Sequence, residues 1–294
     1  MPKKPPFRAV TSPYRVPYEG ECRVAGAATR PPKGTPKSKE LKRRLADLID
    51  RFDDLQRMLF ARDEHAVLLI FQAMDAAGKD GTIRAVLSGV NPASFQTFSF
   101  KQPTSEELDH DFLWRTARAL PERGRIGVFN RSYYEEVLVV RVHPEYLEGQ
   151  RLPRMNPKTI WKERFRSILD HEEHLARNGV VILKFWLNVS REEQKRRFLS
   201  RIDEPEKRWK FSKADVAERR HWDAYMEAYQ EMLDATSRPW APWYAIPADD
   251  KPSMRVAVAD IIVRSLETLK LSYPEVDEAR VEELLAMRKD LEED

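Results

Sequence analysis

The chain alternates short, continuously apolar segments with longer amphipathic ones. Residues 66–73, 126–129, 180–187 and 243–246 are apolar almost throughout, which is typical of strands that are covered on both faces of a sheet. A further strand is predicted at 95–100. Strands that alternate with helices favour right-handed crossovers and a mainly parallel sheet, so the pattern predicts an α/β fold.

The intervening segments carry apolar residues three and four positions apart, which is the spacing of an amphipathic helix. This spacing predicts helices within 41–59, 105–120, 156–177 and 252–271. The leucines of 41–59 share one face, which fits either the core of the domain or an oligomer seam. In parallel sheets, ligands bind beyond the carboxyl ends of the strands, so we expect the chemistry in the loops that follow the strands.

Charge and proline content divide the chain into three parts. Residues 1–37 hold eight basic and two acidic side chains with eight of the twenty prolines, which predicts an extended basic arm. Residues 274–294 hold nine acidic and three basic side chains and are expected to form an acidic helix or tail. The middle, 38–273, has no internal repeat and no flexible linker, so we expect one main domain there.

The overall balance of 51 basic and 48 acidic side chains leaves a net charge of +3, which argues against a dedicated nucleic-acid wrapper. The longest apolar run, 66–71, is far shorter than the ~18 residues of a membrane span. The first residues lack the apolar stretch of a secretory signal, and Cys22 is the only cysteine. We therefore expect a cytoplasmic protein without membrane or nucleic-acid partners.

A candidate phosphate loop follows the first predicted strand. In the signature G-x-x-x-x-G-K-[ST], backbone N–H groups and a helix N-terminus face an anion, and the lysine reaches the outer phosphates. Gly78 and Lys79 fit this pattern, but Ala73 replaces the leading glycine and Asp80 replaces the hydroxyl residue. The alternative is a plain strand-to-helix turn with a solvated lysine. We favour phosphate binding, with contacts from the loop residues Ala76, Ala77, Gly78, Asp80, Gly81 and Thr82.

Without the loop hydroxyl, another oxygen must hold a metal ion, and Asp75 is the nearest candidate. Magnesium is usually held by one or two carboxylates together with phosphate oxygens. The third predicted strand ends at the neutral Asn130, whereas Glu135, about one helical turn later, carries the charge that a second ligand needs. We therefore predict a Mg²⁺ site formed by Asp75 and Glu135. Arg131 is interpreted as a bidentate phosphate clamp, and the alternative is a surface ion pair with Glu135.

A basic segment follows the fourth predicted strand. Residues 191–220 contain eleven basic and seven acidic side chains, and Arg197 and Arg201 share one helix face. A basic helical excursion at this point is typical of a closing lid, which we place at about 200–221 with Lys210 as a further phosphate contact. Lys101, after the second strand, could contact phosphate or water.

The segment His171-Glu172-Glu173-His174 superficially resembles a zinc-binding helix. The zinc motif requires histidines at i and i+4, whereas these lie at i and i+3. We therefore expect a solvated helix face. The aromatic residues Tyr225 and Tyr229, beyond the lid, are expected to serve in packing.

Taken in order, several motifs of the chain resemble the polyphosphate kinase 2 family. They are MDAAGKDGTI, SFKQP, FNRSYYEE, REEQKRRFLSR, WKFS and PWYAIPADDK, within about residues 38–271. The resemblance implies a phosphate-loop, three-layer αβα fold with a helical lid. It also implies phosphoryl transfer between inorganic polyphosphate and nucleotides, with magnesium and no other cofactor.

The resemblance extends to individual positions. Asp75, Lys79 and Arg131 match functional residues of the family, and Arg197 and Arg201 match a pair at the base of the lid. A further match concerns two positions after the third strand: asparagine at 130 with glutamate at 135 is similar to the subgroup that phosphorylates both nucleoside mono- and diphosphates.

The sequence thus predicts reversible transfer of the terminal phosphoryl group of polyphosphate to AMP and ADP, giving ADP and ATP, by a homodimer or homotetramer. A rival enzyme class is an ATP-dependent nucleoside monophosphate kinase of thymidylate-kinase type, which would share the fold, the loop and the lid. A rival of another kind is a nucleotide-gated nucleic-acid-binding protein that uses the arm 1–37. No recognisable nucleic-acid module supports that second rival.

Overall fold

The computed structural model describes residue 7 and residues 9–18 and 22–293, apart from the side chain of Lys210. Five parallel strands form one sheet in the order β2-β3-β1-β4-β5. The strands are β1 (Ala66–Gln72), β2 (Phe95–Ser99), β3 (Ile126–Asn130), β4 (Val180–Asn188) and β5 (Trp243–Pro247). The parallel α/β prediction is confirmed.

Twelve α-helices of the described chain connect and cover these strands. They are α1 (Ser38–Arg62), α2 (Lys79–Val86), α3 (Ser105–Leu108), α4 (Trp114–Ala117), α5 (Val139–Val142), α6 (Tyr146–Gly149), α7 (Ile160–Arg177), α8 (Arg191–Asp203), α9 (Lys213–Arg220), α10 (Trp222–Thr236), α11 (Lys251–Glu267) and α12 (Glu278–Glu293). Short 3₁₀ helices lie at Val24–Gly26, Pro92–Ser94, Tyr133–Val137 and Pro205–Lys210.

The register of the central strands brings their carboxyl ends to one edge of the sheet. Phe71 of β1 pairs with Asn130 of β3, and Gln72 pairs with Trp186 of β4. All seven residues of β1 are buried, as expected for the middle strand of a sheet covered on both faces. The loops after β1 and β3 therefore leave the sheet side by side.

Helix α1 packs against α11, and its apolar face belongs to the core. Leu41, Phe52, Leu55 and Leu59 are each at most 5% exposed. The seam interpretation of this face is therefore wrong for these four positions, because the chain's own α11 covers the face.

The amphipathic segment 105–120 is not one continuous helix. Thr104 and Glu107 form a reciprocal capping box at the start of α3, and the chain turns again near His110. The Asp111 carboxylate then accepts a hydrogen bond from the Leu113 N–H group at 2.9 Å, before α4 begins. This local side-chain bonding competes with helix continuation.

The described part of the N-terminal arm lies on the domain and covers the edge strand β5. The Val16 N–H group donates to the Trp243 carbonyl at 2.9 Å, and the Ala245 N–H group donates to the Tyr14 carbonyl at 2.8 Å. Val16 is 2% exposed. The arm thus satisfies backbone groups that an uncovered edge strand would leave free.

Helix α12 differs from the other long helices because it has no buried residue. Val281, Leu284 and Leu285 are 43%, 45% and 55% exposed. Within residues 7, 9–18 and 22–293, every helix is too short or too polar to cross a membrane.

Candidate active site

The loop after β1 has the shape of an anion cradle. Ala76 and Gly78 both have positive φ angles, 62° and 106°, and Gly78 precedes the first residue of α2. Successive N–H groups in such a turn, followed by a helix N-terminus, form a concave site for an anion. A side chain at Gly78 would be strained by its φ angle, which explains the glycine at this position.

Lys79 is folded back onto this loop. Its Nζ atom donates to the Ala73 carbonyl at 2.8 Å, and the residue is only 9% exposed. Burial lowers the pKa of Lys79, the nearby Arg131 lowers it further, and the carboxylates of Asp75, Glu135 and Asp80 oppose the shift. A phosphate group in the loop would supply the negative charge that a buried ammonium group needs.

Arg131 joins the two carboxylates that the sequence predicts as metal ligands. Its Nη2 atom donates to Asp75 Oδ1 at 3.0 Å, and its Nη1 atom donates to Glu135 Oε2 at 3.3 Å. The neighbouring carboxylate of Glu135 is the main cause that raises the pKa of Arg131. The ion pair between Arg131 and Glu135 therefore exists, and it lies at the mouth of the phosphate loop. This pairing is compatible with a role of Arg131 as a phosphate clamp.

Glu135 is held in place by a residue that the sequence analysis did not single out. Gln72, at the end of β1, is 1% exposed. With its amide oxygen facing Ser132, its amide nitrogen donates to Glu135 Oε1 at 2.8 Å. Burial raises the pKa of Glu135, while Arg131 and Lys79 oppose that shift. A further cation at this carboxylate would favour its ionised form.

One cavity, which we term the carboxylate cavity, opens beside these residues. It has a volume of about 710 Å³ and is lined by Asp75, Lys101, Arg131, Glu135, Tyr225 and Tyr229, and by Ser212, Asp215, Glu218 and Arg219 of the lid region. Tyr225 and Tyr229 are 7% and 3% exposed. Besides packing, these tyrosines form part of the wall.

Helix α9 is attached to the body on both sides of this cavity. Tyr225 donates from its hydroxyl to Glu218 Oε2 at 2.7 Å. Arg219 donates to Gln194 Oε1 at 2.6 Å, and Gln194 in turn donates to the Asp75 carbonyl at 3.0 Å. The segment predicted as a lid is therefore linked by hydrogen bonds to the loop after β1.

A second cavity, which we term the basic cavity, lies on the other side of the phosphate loop. Its volume is about 310 Å³, and its walls carry Arg84, Arg196, Arg197, Arg201, Lys207, Lys251 and Arg255, with Asp80 as the one acid among the described lining residues. Burial lowers the pKa of Lys251, and the neighbouring arginines and Lys207 lower it further. Such mutual repulsion marks a surface of strongly positive potential.

Arg255 gives this cavity an unpaired donor. Its Nε atom is buried and has no hydrogen-bond acceptor within the described part of the chain. Its Nη2 atom lies 3.5 Å from the position that a Cβ atom on Gly81 would occupy. The guanidinium therefore faces the start of α2. A buried donor of this kind is normally satisfied by a ligand or by water.

The structure assigns Arg197 a supporting position under the loop. The residue is 6% exposed. Its guanidinium donates to four backbone carbonyls and one carboxylate: Ala76 (3.0 Å), Ala77 (2.6 Å), Ala248 (2.6 Å), Asp249 (3.2 Å) and Glu193 (2.7 Å). These bonds join the phosphate loop to the loop after β5, and direct phosphate contact by Arg197 stays a prediction.

The remaining predicted contacts are distributed around the loop. Asn130 donates from its amide to Asp80 Oδ1 at 2.7 Å, which ties the end of β3 to the start of α2. Thr82 is fully buried, and its hydroxyl faces the Met254 sulfur at 3.8 Å. Arg201 lies four residues beyond Arg197 on α8 and lines the basic cavity. The side chain of Lys210 lies outside the described part of the structure.

The expectation of a solvated face at 171–174 is wrong for Glu172, and the Nε2 atom of His171 is buried as well. Glu172 is fully buried and forms an ion pair with Lys184 of β4, with 2.5 Å between Oε2 and Nζ. The sequence did contain a signal, because Lys184 is the one charged residue in the otherwise apolar strand β4. A buried charge requires a partner.

The residues at the mouth of the loop suit a magnesium ion. No group of three or more His, Cys, Asp or Glu residues within the described chain forms a complete metal site by itself. Two carboxylates beside a phosphate loop are the protein ligands of a typical Mg²⁺ site, since the remaining ligands are phosphate oxygens and water. Asp75 and Glu135, both within 3.3 Å of Arg131, fit that donor set.

The fold and this arrangement define a phosphate-loop protein of the kinase type. The parallel order β2-β3-β1-β4-β5, the Gly-Lys loop after the central strand and the attached helical segment together place the chain in that class. Comparison with known proteins then gives the family. The profile described as Polyphosphate kinase 2 (PPK2) matches residues 35–274, and the chain belongs to this family.

Similar proteins carry consistent names. An ADP-polyphosphate phosphotransferase of Rhodopseudomonas palustris is 59% identical over 245 residues, covering 83% of this chain and 85% of that protein. An AMP/ADP-polyphosphate phosphotransferase of Meiothermus ruber is 45% identical over 235 residues, with 80% and 84% covered. The crystal structure of Polyphosphate Kinase 2 from Arthrobacter aurescens TC1 superposes with a TM-score of 0.85 at 37% identity, covering 95% of this chain and 99% of that one.

Proposed function

We propose that this protein transfers the terminal phosphoryl group of inorganic polyphosphate to AMP and ADP, reversibly, giving ADP and ATP. The observation that carries this proposal is the position of one phosphate loop between two different cavities. The basic cavity lies on the side of Gly78 and Gly81, and the carboxylate cavity lies on the side of Asp75. The names of the relatives from Rhodopseudomonas palustris and Meiothermus ruber support the same pair of acceptors.

The basic cavity is suited to the polyphosphate chain. Polyphosphate carries a negative charge on each phosphate unit and has no base or sugar, so a site can bind it with charge and N–H donors alone. The lining residues Arg84, Lys251 and Arg255 would provide such contacts, and Arg84 is exposed. By analogy with other polyanions, we expect binding to weaken as salt rises.

The carboxylate cavity is suited to the nucleotide. Its volume of about 710 Å³ lies within the range of small-molecule sites, roughly 300–1,000 Å³. Its buried tyrosines, Tyr225 and Tyr229, give an apolar wall, whereas Arg131 and Lys101 can meet the phosphates. Nucleotide phosphates in this cavity would face the loop and Lys79.

The acceptor is a phosphate oxygen that is already anionic, so the reaction requires no strong general base. Catalysis can then consist of holding two anions in line and neutralising the charge of the transferred group. Lys79 and the loop N–H groups would bind the transferred phosphoryl group, and Arg131 would stabilise the charge that develops on it. Magnesium, held by Asp75 and Glu135, would supply positive charge between the phosphates.

The lid contributes by excluding water, which competes with the nucleotide for the phosphoryl group. Helix α9 closes one side of the carboxylate cavity, and the Gln194 bridge couples it to the loop that carries Asp75. Movement of residues 200–221 on nucleotide binding is part of this proposal. The three-part organisation of the chain, a cytoplasmic location and a homo-oligomeric state also stay predictions.

The experiment supplies purified protein with Mg²⁺, long-chain polyphosphate and either AMP or ADP, without ATP. The proposal predicts ADP and ATP from AMP, and ATP from ADP. The thymidylate-kinase-type alternative predicts no product in this mixture and phosphorylation of AMP when ATP is added instead. Polyphosphate and ATP are each tested as donor with AMP and with ADP, so the two enzyme classes give different sets of products.

A further inference from the structure

A fully buried ion pair lies behind the candidate active site. Glu172 of α7 and Lys184 of β4 are both 0% exposed, and Lys184 Nζ lies 2.5 Å from Glu172 Oε2. Neither side chain reaches either of the cavities beside the phosphate loop. The pair therefore takes no direct part in binding or transfer.

Hydrogen bonds connect this pair to two tyrosines. The hydroxyl groups of Tyr133 and Tyr134 both donate to the same carboxylate oxygen, Glu172 Oε1, at 2.9 Å and 2.8 Å. Lys184 Nζ also donates to the Tyr134 hydroxyl at 2.8 Å and to the Thr236 carbonyl at 2.8 Å. All three ammonium protons thus have acceptors, and the network is closed.

Tyr133 and Tyr134 lie between the two functional residues of the turn after β3. Arg131, at its start, has a φ angle of 65°, which is unusual for a residue with a side chain. Glu135 lies in the 3₁₀ helix that follows. A strained turn keeps its shape only when its surroundings hold it, and here two phenols hold it from behind.

Stability alone is a weak explanation for this pair. Apolar residues of similar volume often replace a buried ion pair without loss of stability, because taking two charges out of water is costly. Burial lowers the pKa of Lys184 to about 8, the direction expected when a charge is taken out of water. The charged groups instead impose directional hydrogen bonds, because one carboxylate oxygen fixes the orientation of two neighbouring phenols.

We infer that the Glu172–Lys184 pair positions the turn 131–135 for phosphoryl transfer. The carboxylate fixes both phenol rings, and the ammonium group holds the carboxylate in the required orientation. The backbone between the two rings and strand β3 is then held in one conformation, in which Arg131 donates to both Asp75 and Glu135. This inference rests on the proposed roles of Arg131 and Glu135 in the transfer of a phosphoryl group from polyphosphate.

The test replaces the whole network by apolar groups of similar size. The apolar variant combines Glu172→Leu, Lys184→Met, Tyr133→Phe and Tyr134→Phe. It leaves no buried charge unpaired and no buried hydroxyl without an acceptor, and among the polar groups of the network only the Thr236 carbonyl loses its donor. Tyr244→Phe is the matched control, because the Tyr244 hydroxyl is also buried but bonds the Val10 carbonyl, away from the turn.

The inference predicts that the apolar variant melts at or above the temperature of the wild type and yet transfers phosphoryl groups more slowly. The expected loss in kcat is about tenfold to hundredfold, the size of effect that a small misplacement of a catalytic group has. The KM for ADP should stay within about threefold, since much of the cavity wall is untouched. The control should keep both kinetic parameters.

A folded apolar variant with wild-type kcat would overturn the inference. If the apolar variant fails to fold, the double variant Tyr133→Phe with Tyr134→Phe takes its place, and the same fall in kcat at constant KM is required of it. Failure of the proposed function gives a different result: wild-type protein would form no ATP from polyphosphate and ADP, whatever the variants do.

Discussion

Arg131 Nη2 lies 3.0 Å from Asp75 Oδ1, so the first residue after β3 is bonded to the loop after β1. The contact joins the carboxyl ends of two neighbouring parallel strands. It places a permanently charged guanidinium between the phosphate loop and the Glu135 carboxylate. The geometry thus brings together a cation for the phosphates and two carboxylates for a metal, and the charges of all three groups act on Lys79.

Lys79→Ala is expected to abolish transfer while leaving the fold intact. The lysine contributes its charge to the transferred group and little to the core, and loss of one such electrostatic contact typically reduces kcat by about 10²–10³-fold. Turnover with polyphosphate and ADP, together with a thermal melt, checks this expectation. Lys162→Ala, on the exposed face of α7, is the control. Unchanged turnover in the Lys79 variant would remove the loop from the mechanism.

Asp75→Asn is expected to lower the rate by orders of magnitude and to weaken its dependence on magnesium. The amide keeps the size of the side chain but removes the charge that suits the metal and that pairs with Arg131. The measurement is the rate as a function of Mg²⁺ concentration. A merely twofold effect with the same magnesium dependence would mean that the metal is held elsewhere.

Glu135→Ala is expected to reduce the rate with AMP more than the rate with ADP. AMP brings one phosphate fewer into the carboxylate cavity, so it depends more on protein groups to organise the metal and the phosphates. Comparing kcat/KM for the two acceptors, with polyphosphate saturating, gives the ratio directly. An equal loss with both acceptors would show that Glu135 does not discriminate between them.

Arg255→Ala is expected to raise the KM for polyphosphate several-fold and to make that KM less sensitive to salt. Removing one cation that contacts a polyanion should reduce the slope of log KM against log salt by roughly one unit, by analogy with nucleic acids. The matched control is Arg166→Ala, an exposed arginine on α7 whose partner Asp170 lies one turn away. If both variants behave alike, the basic cavity is not the site of the donor.

The buried Lys184 predicts a rise of stability with pH. Burial lowers its pKa from an ordinary value of 10.5 to about 8, so above pH 8 the folded protein releases a proton that the unfolded chain retains. The unfolded state then binds more protons, and the free energy of unfolding increases with pH. The full shift corresponds to about 3 kcal/mol.

Denaturant unfolding of the wild type and of the apolar variant between pH 8 and about 9.5 measures this contribution as a difference. The raised pKa values of Tyr133 and Tyr134 act in the opposite direction, but only near and above pH 10, where tyrosine in an unfolded chain loses its proton. The stability of the wild type relative to the variant should therefore increase across this range. A constant difference would show that burial does not lower the pKa of Lys184.

The sequence contained enough to locate the loop and the residues around it. A buried strand followed by Gly78-Lys79, and a second strand followed by Arg131, place those side chains at one edge of a parallel sheet. This inference depends only on the geometry of parallel strands, which the apolar pattern already predicts. The three-layer fold and the family resemblance, placed at about 38–271, agree with the observed sheet and with the match over 35–274.

Other features depend on tertiary packing and could not be predicted in this way. Arg255 reaches the loop because α11 packs beside α2, and no local spacing in the sequence indicates that neighbour. Arg197 also donates to backbone carbonyls of two loops, a use that no sequence pattern reveals. Glu172 was assigned to solvent because the histidine spacing of 171–174 does not fit a zinc site, whereas its partner lies in a strand twelve residues later.

The most direct test of the central claim is a phosphate balance on one reaction mixture. Wild-type protein is incubated with Mg²⁺, ADP and long-chain polyphosphate, and ³¹P NMR follows polyphosphate phosphorus and ATP together. Direct phosphoryl transfer predicts one phosphoryl unit lost from polyphosphate for each ATP formed, with little free phosphate, and neither change with Lys79→Ala. ATP that forms without consumption of polyphosphate, or polyphosphate that is merely hydrolysed while ADP persists, would contradict it.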